Sequence, residues 1–153
     1  MQPPQYSLVR LSDVSLADEI VTLVEENDTS EKLLVHPNWL ENFREHVRRL
    51  LGVGQVLGYY YNNRIVGVCG WALVDDSNRV NKIRWTLPDN ITTGHILYVT
   101  FGVITSGCRI GEIKKFFDGP EMTSKFDEVK WLYNTNIFNV KYPNRRLKCR
   151  IAD

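Results

Sequence analysis

Apolar positions near the start of the chain recur at helical spacing and predict a first helix. They fall on one helical face and comprise Leu16, Ile20, Leu23 and Val24. Ser15 precedes them and Asp18 completes a capping-box pattern, so the helix is predicted to begin at Ser15. Two prolines disfavour regular structure before it, and residues 1–12 are predicted to be an irregular N-terminal segment. The polar residues 25–30 are interpreted as a loop.

A second amphipathic pattern predicts a helix from Pro37 to Leu51, with Gly52 as its C-terminal cap. Proline favours the first turn of a helix, and glycine favours the position just after its end. The apolar stripe of this helix comprises Trp39, Leu40, Phe43, Val47, Leu50 and Leu51. His46 is predicted to lie on the solvent side.

Short runs of β-forming residues dominate the rest of the chain. The strongest hairpin signal joins residues 55–61 to 64–74 through Asn62 and Asn63. Residues 95–104 are nearly all apolar and predict a central strand buried on both faces. A glycine-bearing loop at 105–111 precedes a predicted helix at 112–117. Further strands are predicted at 82–87, 127–133 and 136–142, and 145–151 is interpreted as a basic tail or edge strand.

Composition narrows the class of protein. The chain is 43% hydrophobic and 24% charged, which supports a packed core, and its element order predicts one α+β domain covering residues 1–153. A formal charge of +1 argues against nucleic acid as the partner, and no apolar run is long enough to span a bilayer. Cys69, Cys108 and Cys149 form no zinc-ligand pattern, so we expect no metal, and reduced thiols in the cytoplasm.

His36 stands directly before the proline that opens the second helix. Imidazole exchanges protons near neutral pH, and the positive end of a helix favours its neutral form, which can act as a base. The alternative interpretation is a solvated loop histidine. The segments that follow favour the functional interpretation, because they match a known arrangement.

The order of central strand, glycine loop and helix resembles the coenzyme A site of Gcn5-related N-acetyltransferases. The nearest match to their loop is Cys108-Arg109-Ile110-Gly111, preceded by Ser106-Gly107. Loop N–H groups and a helix N-terminus can together bind phosphate. The resemblance therefore implies that Ser106, Gly107, Arg109 and Gly111 bind the donor cofactor.

Four short motifs, in order, resemble the toxin-activating lysine acyltransferases, a divergent branch of that fold. They are His36-Pro37-Asn38-Trp39, Cys69-Gly70-Trp71-Ala72, Thr92-Thr93-Gly94 and Lys114-Lys115-Phe116. The resemblance covers roughly residues 30–142. It implies an acetyltransferase-like layered α+β fold, with a mostly antiparallel central sheet flanked by helices.

This resemblance also implies a reaction. An acyl carrier protein thioester or acyl-CoA would supply an acyl group to a lysine amine of a protein acceptor, with His36 as base and Asn38 fixing its loop. The family places an aspartate on the central strand, where this chain has Tyr98 or Thr100. A Thr100 hydroxyl can orient an imidazole but cannot stabilise an imidazolium as a carboxylate does. Thr100 is therefore the third candidate catalytic residue.

The missing carboxylate keeps a second hypothesis open. The chain would then be a catalytically depleted protein of the same fold that binds and modulates another protein, and a homodimer is compatible with either hypothesis. A basic C-terminal cluster comprises Lys141, Arg145, Arg146, Lys148 and Arg150. It is interpreted first as a solvated edge, then as a docking surface for acidic carrier protein, and last as a contact with nucleic acid.

Overall fold

The computed structural model describes residues 5–27, 39–75, 85–105, 110–133, 136–141 and 146–151. Its helices are α1 (Ala17–Asn27), α2 (Trp39–Gly52), α3 (Ile110–Asp118) and α4 (Pro120–Thr123). Its strands are β1 (Tyr6–Leu11), β2 (Val56–Tyr61), β3 (Arg64–Val74), β4 (Ile96–Ile104), β5 (Glu128–Tyr133), β6 (Asn136–Lys141) and β7 (Arg146–Ile151).

The seven strands form one sheet in which spatial order follows chain order. All neighbours pair antiparallel except β4 and β5, which are parallel. A parallel pair needs a crossover connection, and α3 and α4 lie within it. The predicted α+β layout with a mostly antiparallel sheet is confirmed, and β4 is the central strand that the apolar run predicted.

Helices pack on both faces of the sheet, and the sheet separates two cores. The α1–α2 core is a cluster of buried residues that includes Ile20, Val24, Phe43, Val47, Leu50, Val68, Ala72, Ile96 and Phe101. The α3–α4 core, on the opposite face, includes Leu57, Trp71, Leu73, Leu97, Phe117, Met122, Phe126 and Val129. Because strand residues alternate between faces, β3 and β4 contribute to both cores.

The first strand corrects the prediction of an irregular segment at residues 1–12. Tyr6–Leu11 pairs antiparallel with β2, from Tyr6 opposite Tyr61 to Leu11 opposite Val56. Within the segment itself the apolar alternation is weak. The strand forms because the edge of β2 supplies main-chain partners that lie far away in sequence.

The first helix also begins and ends differently from the prediction. Asp13 is the capping residue, and its Oδ1 accepts hydrogen bonds from Ser15 N at 2.9 Å and Ser15 Oγ at 2.7 Å. These two bonds hold the pKa of the Asp13 carboxyl below its usual value. A 3₁₀ turn at Val14–Leu16 then leads into α1, which continues to Asn27 through part of the predicted loop.

The hairpin prediction is confirmed by the backbone of its turn. Asn62 and Asn63 have φ values of 47° and 68°, as a type I′ turn requires, and asparagine tolerates this left-handed conformation. The predicted strand at 82–87 fails in its described part. Trp85 has a φ of 56°, which is incompatible with an extended strand, and residues 82–84 lie outside the described ranges.

Candidate functional site

The parallel pair β4 and β5 separates partway along its length. Their ladder covers Ile96–Val99 of β4 and Glu128–Trp131 of β5. Beyond it β4 continues to Ile104 and β5 to Tyr133, without further pairing between these two described strands. The carboxyl ends of parallel strands are where α/β sheets commonly bind ligands. We therefore take the unpaired half of β4 as the candidate binding edge.

A β-bulge lies at the point where this edge begins. Gly70 of β3 pairs with Phe101, whereas the next residue, Trp71, pairs with Val99, so Thr100 is the extra residue. The bulge shifts the alternation of β4 by one position. As a result Phe101 and Val103 join the α1–α2 core on the same face as Ile96.

A histidine of α2 holds the extra residue. His46 Nε2 lies 2.7 Å from Thr100 Oγ1, and Thr100 Oγ1 lies 3.5 Å from the Gly70 carbonyl oxygen. His46 is only 2% exposed and Thr100 is fully buried. The prediction of a surface position for His46 is therefore wrong, because its side chain points into the α1–α2 core.

The second ring nitrogen of His46 determines its tautomer. Nδ1 lies 3.2 Å from the carbonyl oxygen of Trp85, which can only accept a hydrogen bond. Nδ1 therefore carries the proton in the neutral ring, and Nε2 accepts from the Thr100 hydroxyl. The imidazole thus links α2, the β4 bulge and the left-handed turn at Trp85.

Aromatic rings enclose this imidazole. Phe43 stacks on Trp85 with centroids 4.5 Å apart. His46 meets Phe43, Trp85 and Phe101 edge-on, with centroids 6.2, 5.2 and 6.3 Å away. These rings separate the imidazole from solvent. His46 and Thr100 are therefore both enclosed in the α1–α2 core, beneath the unpaired half of β4.

Gly70 is required by the same packing. A Cβ at this position would clash with the Phe101 ring and lie 2.9 Å from Leu50 Cδ1. The glycine in the Cys69-Gly70-Trp71-Ala72 run therefore lets Phe101 pack beyond the bulge. Gly102, two positions further from Thr100 on β4, is exposed, and its Cβ would meet Cys69 Cβ at an ordinary 3.6 Å.

Most of the predicted site residues lie outside the part of the chain that the structure describes. His36 and Asn38 lie outside the described residues, as do Ser106, Gly107 and Arg109. Gly111 is the second residue of α3 and not part of the predicted loop. Thr100 does form a hydrogen bond with an imidazole, as expected of its position, but this imidazole belongs to His46. The spacing of apolar residues in α2 indicated that His46 is buried, because His46 lies three residues after Phe43 and four before Leu50.

Two other polar features of the described chain are less suited to chemistry. His95 Nδ1 lies 2.8 Å from Asp127 Oδ1, but this exposed pair is at the amino ends of β4 and β5, away from the unpaired edge. A surface depression of about 380 Å³ lies beside Arg49. The Arg49 guanidinium there donates to the carbonyl oxygens of Leu87 and Pro88, which is a structural role.

Tyr98 is the other polar side chain that β4 contributes to the α1–α2 face. It packs against that core, and burial raises the pKa of its hydroxyl above the usual value. In the described part of the chain, no three His, Cys, Asp or Glu side chains cluster closely enough to hold a metal ion. None of the described helices is long and apolar enough to cross a membrane.

No protein-family model and no curated protein matches this sequence. Solved structures do match. The loading GNATL domain of CurA from Lyngbya majuscula superposes with a TM-score of 0.59 at 14% identity, over 84% of this chain and 64% of that chain. The GphF GNAT-like decarboxylase, in complex with isobutyryl-CoA, gives 0.55 at 11% identity, over 85% and 65%.

A GCN5-related N-acetyltransferase from Kribbella flavida gives a TM-score of 0.53 at 12% identity, over 83% of this chain and 29% of that chain. The chain thus spans between 29% and 65% of the length of these three proteins. Identities this low indicate likeness of fold alone. The chain has the GNAT-like fold, which the order of strand, loop and helix implied.

Proposed function

We propose that this chain binds an acyl thioester along the unpaired half of β4 and transfers the acyl group to an amine of a protein acceptor. One observation carries the proposal: the β4–β5 ladder ends at Val99 and Trp131, while β4 continues to Ile104. An unpaired strand edge offers main-chain N–H and C=O groups to an extended, amide-bearing ligand. The pantetheine arm of a coenzyme A or carrier-protein thioester is such a ligand.

The start of α3 supports a phosphate-bearing donor. This helix begins at Ile110, shortly after β4 ends, and in the sequence it directly follows the segment predicted to be an anion-binding loop. Ser106, Gly107, Arg109 and Gly111 remain the proposed donor-binding residues. Among proteins of like fold, one is a loading domain and another holds isobutyryl-CoA, which agrees with thioester chemistry.

The transfer needs a neutral amine. Its nitrogen attacks the thioester carbonyl carbon, the carbon–sulfur bond breaks, and the thiolate leaves while the nitrogen loses a proton. A lysine amine is mostly protonated near neutral pH, so a base must take its proton. His46 is too buried for this task. We propose His36 as the base and Asn38 as the residue that fixes its loop.

The charge on β7 supports an acidic donor protein. Arg146, Lys148 and Arg150 occupy alternate positions along this strand. An acyl carrier protein is acidic and would dock there quickly and weakly, with strong dependence on salt. In the form of the proposal that follows the toxin-activating acyltransferases, an acyl carrier protein is the donor. The acceptor is then a lysine, and the reaction takes place in the cytoplasm.

A second function is favoured by the chemistry of β4 itself. The sequence of this strand contains no carboxylate, and its Thr100 hydroxyl is buried and bonded to His46. A protein of this fold that lacks the acid can act by binding another protein without transferring an acyl group. This alternative predicts partner binding that is independent of thioester.

A matched pair of variants at Gly102 tests donor binding at the unpaired edge. Gly102→Ala adds a methyl group at ordinary contact distance from Cys69, whereas Gly102→Leu adds bulk beside the edge. A steric conflict that costs about 1.4 kcal/mol of binding free energy lowers affinity tenfold. Calorimetry should show that Gly102→Leu binds isobutyryl-CoA roughly tenfold more weakly, or weaker still. Gly102→Ala should bind like the unmodified chain. Equal binding by all three would remove the edge as the donor site.

Transfer is tested separately by mass spectrometry of acceptor proteins after expression with and without His36→Ala. Loss of a general base lowers the rate about 100-fold or more, while stability should be unchanged. Acylation that persists at the same level in His36→Ala would exclude His36 as the base. Donor binding with no acylated product from the unmodified chain would favour the binding-protein alternative.

A further inference from the structure

We propose that His46 and Thr100 are positioning residues that set the alignment of the donor thioester on β4. The inference rests on the function proposed above and assigns it a determinant that the sequence motifs did not indicate. Neither side chain touches the ligand, since both are buried in the α1–α2 core. Their effect passes through the backbone of the bulge.

The first step of the argument is the position of Thr100. The last β4–β5 pair is Val99 with Trp131, so the bulged residue is the first residue of the unpaired half. Bulges bend a strand and increase its local twist, and they occur next to active sites. The direction of the edge from Phe101 onward therefore depends on how the backbone at Thr100 is held.

The second step is the restraint on that backbone. The Thr100 hydroxyl meets His46 Nε2 at 2.7 Å and faces the Gly70 carbonyl oxygen at 3.5 Å. The imidazole is in turn fixed by the Trp85 carbonyl oxygen at 3.2 Å and by the surrounding rings. Trp85 has a positive φ, and such strained residues persist only where their surroundings hold them, commonly near functional sites.

The third step is the cost of losing the restraint. Removing the hydroxyl leaves Nε2 without this buried partner, and a bulge without it is free to move or relax. A misplacement of about 1 Å at a binding edge can cost about 100-fold in rate. We therefore expect donor binding to respond even in a variant that stays folded.

Thr100→Val is the test variant because it keeps the shape of threonine without the hydroxyl, and Thr100→Ser, which keeps the hydroxyl, is the matched control. Donor affinity is measured with isobutyryl-CoA under conditions where urea titration shows each variant to be folded. We expect Thr100→Val to bind about 10-fold more weakly, and Thr100→Ser to bind like the unmodified chain. If Thr100→Val does not fold, His46→Asn replaces it, because its amide can still reach the Trp85 carbonyl but not Thr100.

A second readout does not require any donor. Amide hydrogen exchange of Phe101, Gly102 and Val103 should accelerate in the test variant, whereas exchange at Ile96–Val99 should not change. Equal donor binding by folded test variant and unmodified chain overturns the positioning role alone, and so does unchanged exchange at Phe101–Val103. Failure of the unmodified chain to bind any thioester overturns the proposed function instead, and the exchange measurement then still decides whether the pair holds the bulge.

Discussion

The two halves of β4 differ in their pairing with the neighbouring strands. The first half, Ile96–Val99, pairs with β3 on one side and β5 on the other, and its residues enter both cores. Among the described strands, the second half, from Phe101 to Ile104, pairs with β3 alone, and Thr100 between the two halves is the bulged residue. One continuous strand therefore supplies both the centre of the sheet and a main-chain edge with which β5 does not pair.

The comparison shows that the change happens at a single buried residue. Before Thr100 the strand is held by two neighbours, and after it the strand depends on the bulge and on the packing of Phe101 over Gly70. Helix α2 supplies the support, through His46 at the bulge and Phe43 beside it. Substitutions that weaken this support should separate stability from ligand binding.

The largest expected effect is on stability, through the packing that supports both halves of β4. Phe43 is fully buried, stacks on Trp85 and meets Phe101 at 5.2 Å between centroids. Phe43→Ala removes this ring and leaves a cavity, so the free energy of unfolding should fall by about 3–5 kcal/mol. Urea unfolding measures the change, and a loss below about 1 kcal/mol would show that this stripe of α2 is not core.

A smaller effect should distinguish the two glycines that flank the transition between the halves. Gly70→Ala forces a methyl group against Phe101 and Leu50, and such overpacking should cost about 1–3 kcal/mol. Gly102→Ala meets Cys69 at ordinary distance, so its cost should stay within about 0.5 kcal/mol. Thermal unfolding of the two variants compares them directly. Equal losses would contradict the difference in packing on which the comparison depends.

The smallest effect concerns Tyr98, in the first half of the strand. Burial raises the pKa of its hydroxyl above 10.0, so the unfolded chain ionises first as pH rises. Stability is therefore unaffected well below pH 10 and falls above it, until the folded protein also ionises. Urea midpoints at about pH 8 and about pH 10.5 should differ less in Tyr98→Phe than in the unmodified chain. An equal loss of stability at alkaline pH in both proteins would assign that loss to other tyrosines. Tyr60 is one of them, since burial also raises its pKa.

Patterns within short stretches of the sequence were enough to predict some of the elements. Asn62 and Asn63 specify a tight turn because both adopt positive φ, and the apolar run of β4 specifies a central strand. The motif order also implied the GNAT-like fold. Each of these features depends on the spacing of residues close together in sequence, which a single chain displays directly.

The sequence by itself therefore determined the presence of α1, α2 and α3, the hairpin, the central strand and the class of fold. Only the tertiary structure decided the pairing of β1, the burial of His46 and the bulge at Thr100. His46 and Thr100 are 54 positions apart, and their bond exists only because α2 packs across β4. The physical reason is that a polar residue on a helix can be solvated or buried with a partner, and the partner's position is a property of the assembled fold.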